Sequence, residues 1–183
     1  MNRLPLIDPS ESTGAAEREL VRTHRTLGIV PNMTKAMANS PALLQGYLDL
    51  STALSTGTLS AGVRELIAVT VAESNECGYC LSAHAYLGEH VAKVPAGEVE
   101  LAREARSSDA HTQAVLRLAA AVVGERGNVD QALLDEVRAA GVTDAQIAEI
   151  VGHVAINLLT NYFNRLAHTE LDWPEVPLRG RAA

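Results

Sequence analysis

Residues 60–84 decide the fold: Ser60-Ala-Gly-Val-Arg-Glu65-Leu-Ile-Ala-Val-Thr-Val-Ala-Glu-Ser74-Asn-Glu-Cys77-Gly-Tyr-Cys80-Leu-Ser-Ala-His84. Ser60 is a residue type that caps helices, since its hydroxyl can accept an early backbone N–H. Val63, Leu66, Ile67 and Val71 then recur at helical spacing. Together they predict a helix over about 61–74. Asn75-Glu76 reads as a short turn, and a second helix over about 77–90 follows. Joined by so short a turn, the two run antiparallel as a helical hairpin.

Working outward, the same signals predict helices near 13–26, 41–56, 98–105, 109–124, 130–139 and 144–167. Gly28 and Pro31 punctuate a loop at Leu27–Asn32. Residues 1–12, with Pro5 and Pro9, read as an irregular arm. Residues 172–183 read as an extended tail that packs on a neighbour or frays. No segment has the alternation of a strand. Apolar residues make up 47% of the chain but aromatic ones only 3%. The core must therefore be Leu, Val, Ile and Ala, which suits close helix packing. The expectation is an all-α fold in a single domain spanning 1–183. Displacing the sequence by 84 residues sets Glu65 on Glu149 and His84 on His168, with Asn161 and Asn164 in the places of the cysteines. That register predicts a duplicated hairpin.

The formal net charge of −7 opposes binding to a phosphate backbone, which needs a positive footprint. The first residues lack the apolar run of a signal peptide. The most apolar stretch, 147–159, is interrupted by Glu149, His153 and Asn157, so no membrane span is expected. A cytoplasmic location follows, where thiols stay reduced. The two cysteines lie three residues apart, too close for a disulfide to restrict the unfolded chain much. Their spacing points to redox or metal chemistry. Zinc is disfavoured, because a structural site wants four ligands and no second pair is present.

Cys80 and His84 are four apart, and so are neighbours on one helix face. Both cysteines sit near the helix start, where the helix dipole favours a thiolate. Cys80 has His84 one turn on to exchange a proton, whereas Cys77 is two turns away. Cys80 is therefore assigned as the attacking thiol and Cys77 as the resolving one. Hairpin geometry sets Glu65 level with His84 and leaves Glu73 level with the cysteines. The expected relay runs from Glu65 to His84 to Cys80. Tyr79 is placed to donate a hydrogen bond to a substrate oxygen. Glu149, His153, Asn157, Asn161 and Arg165, four apart throughout, predict a solvated helix edge. The sharper alternative is that part of this row lines the site or a subunit interface.

At these residues the chain resembles the carboxymuconolactone decarboxylase superfamily, in its alkyl hydroperoxidase D (AhpD-like) branch. The resemblance rests on Glu65, then Cys77-Gly-Tyr-Cys80-Leu-Ser-Ala-His84. It is supported by Leu27-Gly-Ile-Val-Pro-Asn32, Asn39-Ser-Pro41, Gly57-Thr-Leu-Ser60 and Asn161-Tyr-Phe-Asn-Arg165. It implies an all-helical homo-oligomer, commonly a trimer or hexamer. It also implies peroxide reduction through a Cys77–Cys80 disulfide, without metal or cofactor. A lipoylated or thioredoxin-like dithiol partner would restore the thiols. The alkyl hydroperoxidase D proteins proper carry a histidine where this chain has Tyr79.

The expected function is thus a hydroperoxide reductase using Cys80, Cys77, His84 and Glu65. Two alternatives stand beside it. One is a thiol–disulfide oxidoreductase or redox sensor without fast peroxide turnover. The other is a non-catalytic oligomeric binding protein.

Overall fold

The computed structural model describes residues 2–180. Nine helices make up the described chain, with no strand among them. They are α1 (Gly14–Leu27), α2 (Asn32–Met37), α3 (Pro41–Ser55), α4 (Ala61–Ser74), α5 (Gly78–His90), α6 (Ala96–Ala102), α7 (Ala110–Gly124), α8 (Gln131–Ala139) and α9 (Asp144–Ala167).

Local chemistry starts most of them. The side chains of Ser40, Ser60, Asp109 and Asp130 each accept the backbone N–H three residues on. Thr143 and Gln146 form a reciprocal capping box at the head of α9. Such caps each contribute about 1 kcal/mol.

Helix α4 is the axis of the molecule. Leu66 through Ala72 are buried without interruption, as expected of a helix surrounded by others. α5, α6, α7 and α9 all pack on it. The chain leaves α4 through Asn75-Glu76, where Glu76 adopts a left-handed φ of 53°. The Cys77 N–H then bonds back to the Ala72 carbonyl at 2.9 Å. α5 therefore returns antiparallel along α4, which positions the site. Leu81 and Ile67 are fully buried between them, and each such side chain contributes about 1.5–3 kcal/mol.

Three expectations change. The segment after Pro31 forms a short helix, α2, where no helix was predicted. The Thr34 hydroxyl closes its first turn by donating to the Pro31 carbonyl at 2.7 Å, and Met33, Ala36 and Met37 are buried. Burial, not local propensity, makes this helix. The tail, as far as Gly180, neither frays nor needs a neighbour. The Val176 N–H donates to Ser82 Oγ at 3.0 Å and the Arg179 N–H to Glu73 Oε1 at 2.7 Å. Residues 181–183 of the predicted tail lie outside the described residues. The duplicated hairpin is also wrong. In that register the turn at 75–76 falls on Leu159-Thr160, in the interior of the unbroken helix α9. Neither residue breaks a helix, and Thr160 is buried.

Candidate active site

Cys77 is the N-cap of α5, and its Sγ accepts the Cys80 N–H at 3.3 Å. Cys80 lies in the first turn. The two sulfurs are 2.7 Å apart and both cysteines are free. From α9, Asn164 donates its Nδ2 to Cys80 Sγ at 3.3 Å. Asn164 and Cys80 are both buried.

These neighbours make the two thiols unequal. Burial raises the pKa of Cys80, but hydrogen bonds from Cys77 and Asn164, and the charge of His84, outweigh it. The Asn161 amide adds a longer-range contribution, its Nδ2 having no described acceptor in range. The result is lowered to about 7. Cys77 moves the other way, because its proton is held toward Cys80 and its sulfur is buried. The thiolate therefore belongs on Cys80.

His84 is half-buried, and its Nδ1 lies 2.7 Å from Glu65 Oε2. Burial disfavours the imidazolium, but the Glu65 carboxylate overcomes this and raises the His84 pKa. Glu73, the carboxylate set aside at the sequence level, is engaged elsewhere. It accepts Arg103 Nε at 2.8 Å as well as the Arg179 N–H.

Tyr79 does not stand free to donate to a substrate. Its hydroxyl donates to Asp172 Oδ2 at 2.6 Å and accepts the Met33 N–H at 3.2 Å. Its ring meets Trp173 edge-on, with centroids 5.6 Å apart. Burial and Asp172 push its pKa well up, so the phenol stays protonated. Tyr79 thus ties α5 to α2 and to the tail, and only its ring faces the site.

Two cavities meet at His84. One, of about 120 Å³, is mainly apolar and opens on Cys80, with Met33, Tyr79, Ala83, Leu87 and Trp173 among its walls. The other, of about 320 Å³, is mixed in character and includes Arg64, Glu65, His153 and Asn157. Leu27, Tyr47, His84 and Thr160 belong to both. A third, open groove of about 620 Å³ passes over Cys77, with Arg165, His168 and Glu175 on its sides.

The row on α9 is not a solvated edge. His153, Asn157 and Asn161 are buried. Glu149 accepts the N–H groups of Thr58 and Leu59 at 2.8–3.0 Å. Arg165 holds the Asn75 carbonyl at the hairpin turn. The sharper alternative holds in part: His153 and Asn157 line a cavity of the site. Sequence reasoning missed Asn164, Tyr47 and Trp173 as neighbours of the site. None stands in a local pattern with the cysteines, and α1, α3, α9 and the tail bring the site together only through tertiary packing. Among the described residues, no group of three or more His, Cys, Asp or Glu side chains is arranged to hold a metal ion.

Residues 41–123 match the Carboxymuconolactone decarboxylase family. No curated protein matches the chain. Among solved structures, it is similar to the alkylhydroperoxidase AhpD core of a peroxidase-related protein from Ralstonia eutropha JMP134. That match has a TM-score of 0.82 at 23% identity, covering 93% of this chain and 92% of the other. A peroxidase-related protein from Silicibacter sp. TM1040 gives 0.78 at 24% identity, over 92% and 89%. The debrominase Bmp8 gives 0.73 at 21% identity, over 86% of each chain. At these identities the likeness is one of fold. The chain thus matches the carboxymuconolactone decarboxylase family over residues 41–123, and its all-helical fold is that of the AhpD-like structures.

Proposed function

We propose that the chain is a thiol-dependent hydroperoxide reductase. The observation that carries this reading is the pair of unequal thiols, with Cys80 at the floor of an apolar cavity beside a His84–Glu65 pair. The Cys80 thiolate attacks the terminal peroxide oxygen. The O–O bond breaks, and the alkoxide leaves as an alcohol with a proton from His84. Cys80 becomes a sulfenic acid. Cys77 then attacks that sulfur, releasing water and closing a disulfide. The sulfurs are already in contact, so this step needs little movement. Glu65 keeps His84 oriented and charged enough to donate its proton. A dithiol partner, lipoylated or thioredoxin-like, returns two electrons and two protons. The open groove over Cys77 is where it would approach. An exposed apolar row on α9, including Val151, Leu159, Tyr162 and Leu166, favours self-association.

The test is a thiol count before and after one equivalent of peroxide, on wild type and Cys77→Ser. The expected result is loss of both thiols in the wild type and a trapped sulfenic acid at Cys80 in the variant. An unreacted Cys80 would end this reading. Oxidation without steady-state turnover on a dithiol donor would favour a redox sensor instead.

A second reading has one observation in its favour. Tyr47, Tyr79 and Trp173 all face the cavity at Cys80, so a flat halogenated aromatic would suit it as well as a peroxide does. The same thiolate would take the halogen as the carbon–halogen bond breaks and the ring carbon gains a proton from His84; Cys77 would then attack Cys80 Sγ, closing the disulfide and expelling halide. Halide release from a bromopyrrole, against peroxide consumption, separates the two.

A further inference from the structure

The larger of the two cavities that meet at His84 contains more hydrogen-bonding capacity than the thiol chemistry uses. Much of its lining is satisfied internally. The Thr52 hydroxyl donates to the Leu48 carbonyl, Ser55 to Thr52, Thr160 to Asn157, and Asn157 Nδ2 to the His153 carbonyl, at 2.7–3.1 Å. Two side chains stand apart. His153 is only 6% exposed, and its Nε2 has no hydrogen-bond partner among the described residues. A buried polar nitrogen without a partner is costly and rare in a folded protein. Arg64 donates one guanidinium N–H to the Leu59 carbonyl at 2.7 Å. No carboxylate among the described residues lies within ion-pair range of it. The two carboxylates that act on His153 are engaged: Glu65 by His84, and Glu149 by Thr58 and Leu59.

Glu65 is taken up by His84, which leaves Arg64 as a cation on this cavity without a carboxylate partner among the described residues. His153 is kept neutral by burial and by Arg64, and in that form it can still donate from Nε2. A planar guanidinium beside an N–H donor matches a carboxylate. A dianionic phosphate would set two charges against one, with the Glu65 carboxylate close by. The adjoining cavity at Cys80 is apolar, and Tyr47, His84, Leu27 and Thr160 are common to both. One amphiphilic molecule can thus occupy the two together.

We propose that Arg64 and His153 form a carboxylate subsite, so that the preferred substrates are organic acids with their reacting group at Cys80 and their carboxylate in the larger cavity. The identity of that reacting group rests on the thiol chemistry proposed above, whereas carboxylate binding does not.

The chain has a single tryptophan, Trp173, which lines the apolar cavity. Its fluorescence therefore reports occupancy. The experiment titrates the full-length protein with octanoate and with 1-octanol, which differ in the head group alone. Octanoate should bind about ten- to a hundredfold more tightly, as expected for hydrogen bonds to a charged group. Arg64→Met should remove most of that preference and leave the 1-octanol affinity within about twofold, a readout that also shows the variant is folded. If Arg64→Met does not fold, His153→Leu carries the same comparison. Equal affinities in the wild type, or a preference that survives in the variant, would overturn the proposal. Neither ligand is a peroxide. An inert Cys80 in the thiol count would thus leave this result standing, and the reverse holds too.

Discussion

Replacing Asn164 by alanine removes the hydrogen bond that reaches Cys80 from outside its own helix. Asn164 Nδ2 lies 3.3 Å from Cys80 Sγ, and the thiol sits at about 7 with that bond in place. A hydrogen bond to a charged group contributes about 1.5–3 kcal/mol, or about 1–2 units of pKa. Asn164→Ala should therefore bring the Cys80 thiol to about 8–9. At neutral pH the thiolate fraction then falls from about one half to between about a tenth and a hundredth. A more basic thiolate is also a better nucleophile, by about three- to eightfold over that range. The net effect at neutral pH is a reaction about two- to sixfold slower. Above the shifted pKa the order reverses, and the variant should react about three- to eightfold faster than wild type. The assay is the rate of iodoacetamide alkylation at Cys80 against pH, read by peptide mass spectrometry. The two profiles must cross. Parallel profiles, or an unshifted midpoint, would refute the argument that α9 tunes this thiol.

Further outcomes follow from the same geometry. Glu65→Gln keeps the shape of the pair but removes the charge that raises the His84 pKa. Peroxide turnover should fall by about a hundredfold, while Cys80 alkylation above pH 9 is unchanged; loss of both together would point to misfolding instead. Tyr79→Phe strips the bridge between Met33 and Asp172. Urea titration should show a loss of about 1–3 kcal/mol with the Cys80 midpoint unmoved, and a shifted midpoint would return the phenol to the chemistry. Gly57→Ala would place a Cβ 2.7 Å from the Glu149 carboxylate, displacing it from the Thr58 and Leu59 N–H groups. The variant should lose about 1–3 kcal/mol, and a wild-type melting temperature would show that Glu149 relaxes freely. In wild type, peroxide reactivity should rise through pH 7 and fall again at higher pH, where His84 loses the proton it donates. Since Cys80 is depressed from 9.0 to about 7, its thiolate is present above that value and lost as pH falls through it.

Local signals had most success where local physics decides. Ser40, Ser60 and Thr143 cap helices through their own side chains, so the starts of α3, α4 and α9 could be read from the chain. The hairpin was equally legible. A two-residue turn between two apolar-periodic segments permits an antiparallel return, and that return sets Glu65 against His84. The i,i+3 and i,i+4 spacings of Cys77, Cys80 and His84 need only a helix. Other features failed for the same physical reason. α2 forms because Met33, Ala36 and Met37 find a core to enter, and the chain near Pro31 does not announce that core. The α9 row looked like a wet edge because polarity alone does not distinguish solvent from the wall of an internal cavity.

The sequence by itself thus determined an all-helical chain, the return of the Cys77–Cys80 helix along its predecessor and the choice of Glu65 over Glu73 as the neighbour of His84. Each depends on spacing within about twenty-five residues. Only the tertiary structure decided that Asn164 would reach Cys80 from 84 residues away. It alone turned Tyr79 from the substrate toward Asp172, and set Arg64 and His153 in a shared cavity. Those are meetings of helices, governed by how whole buried faces pack, and no local spacing encodes them.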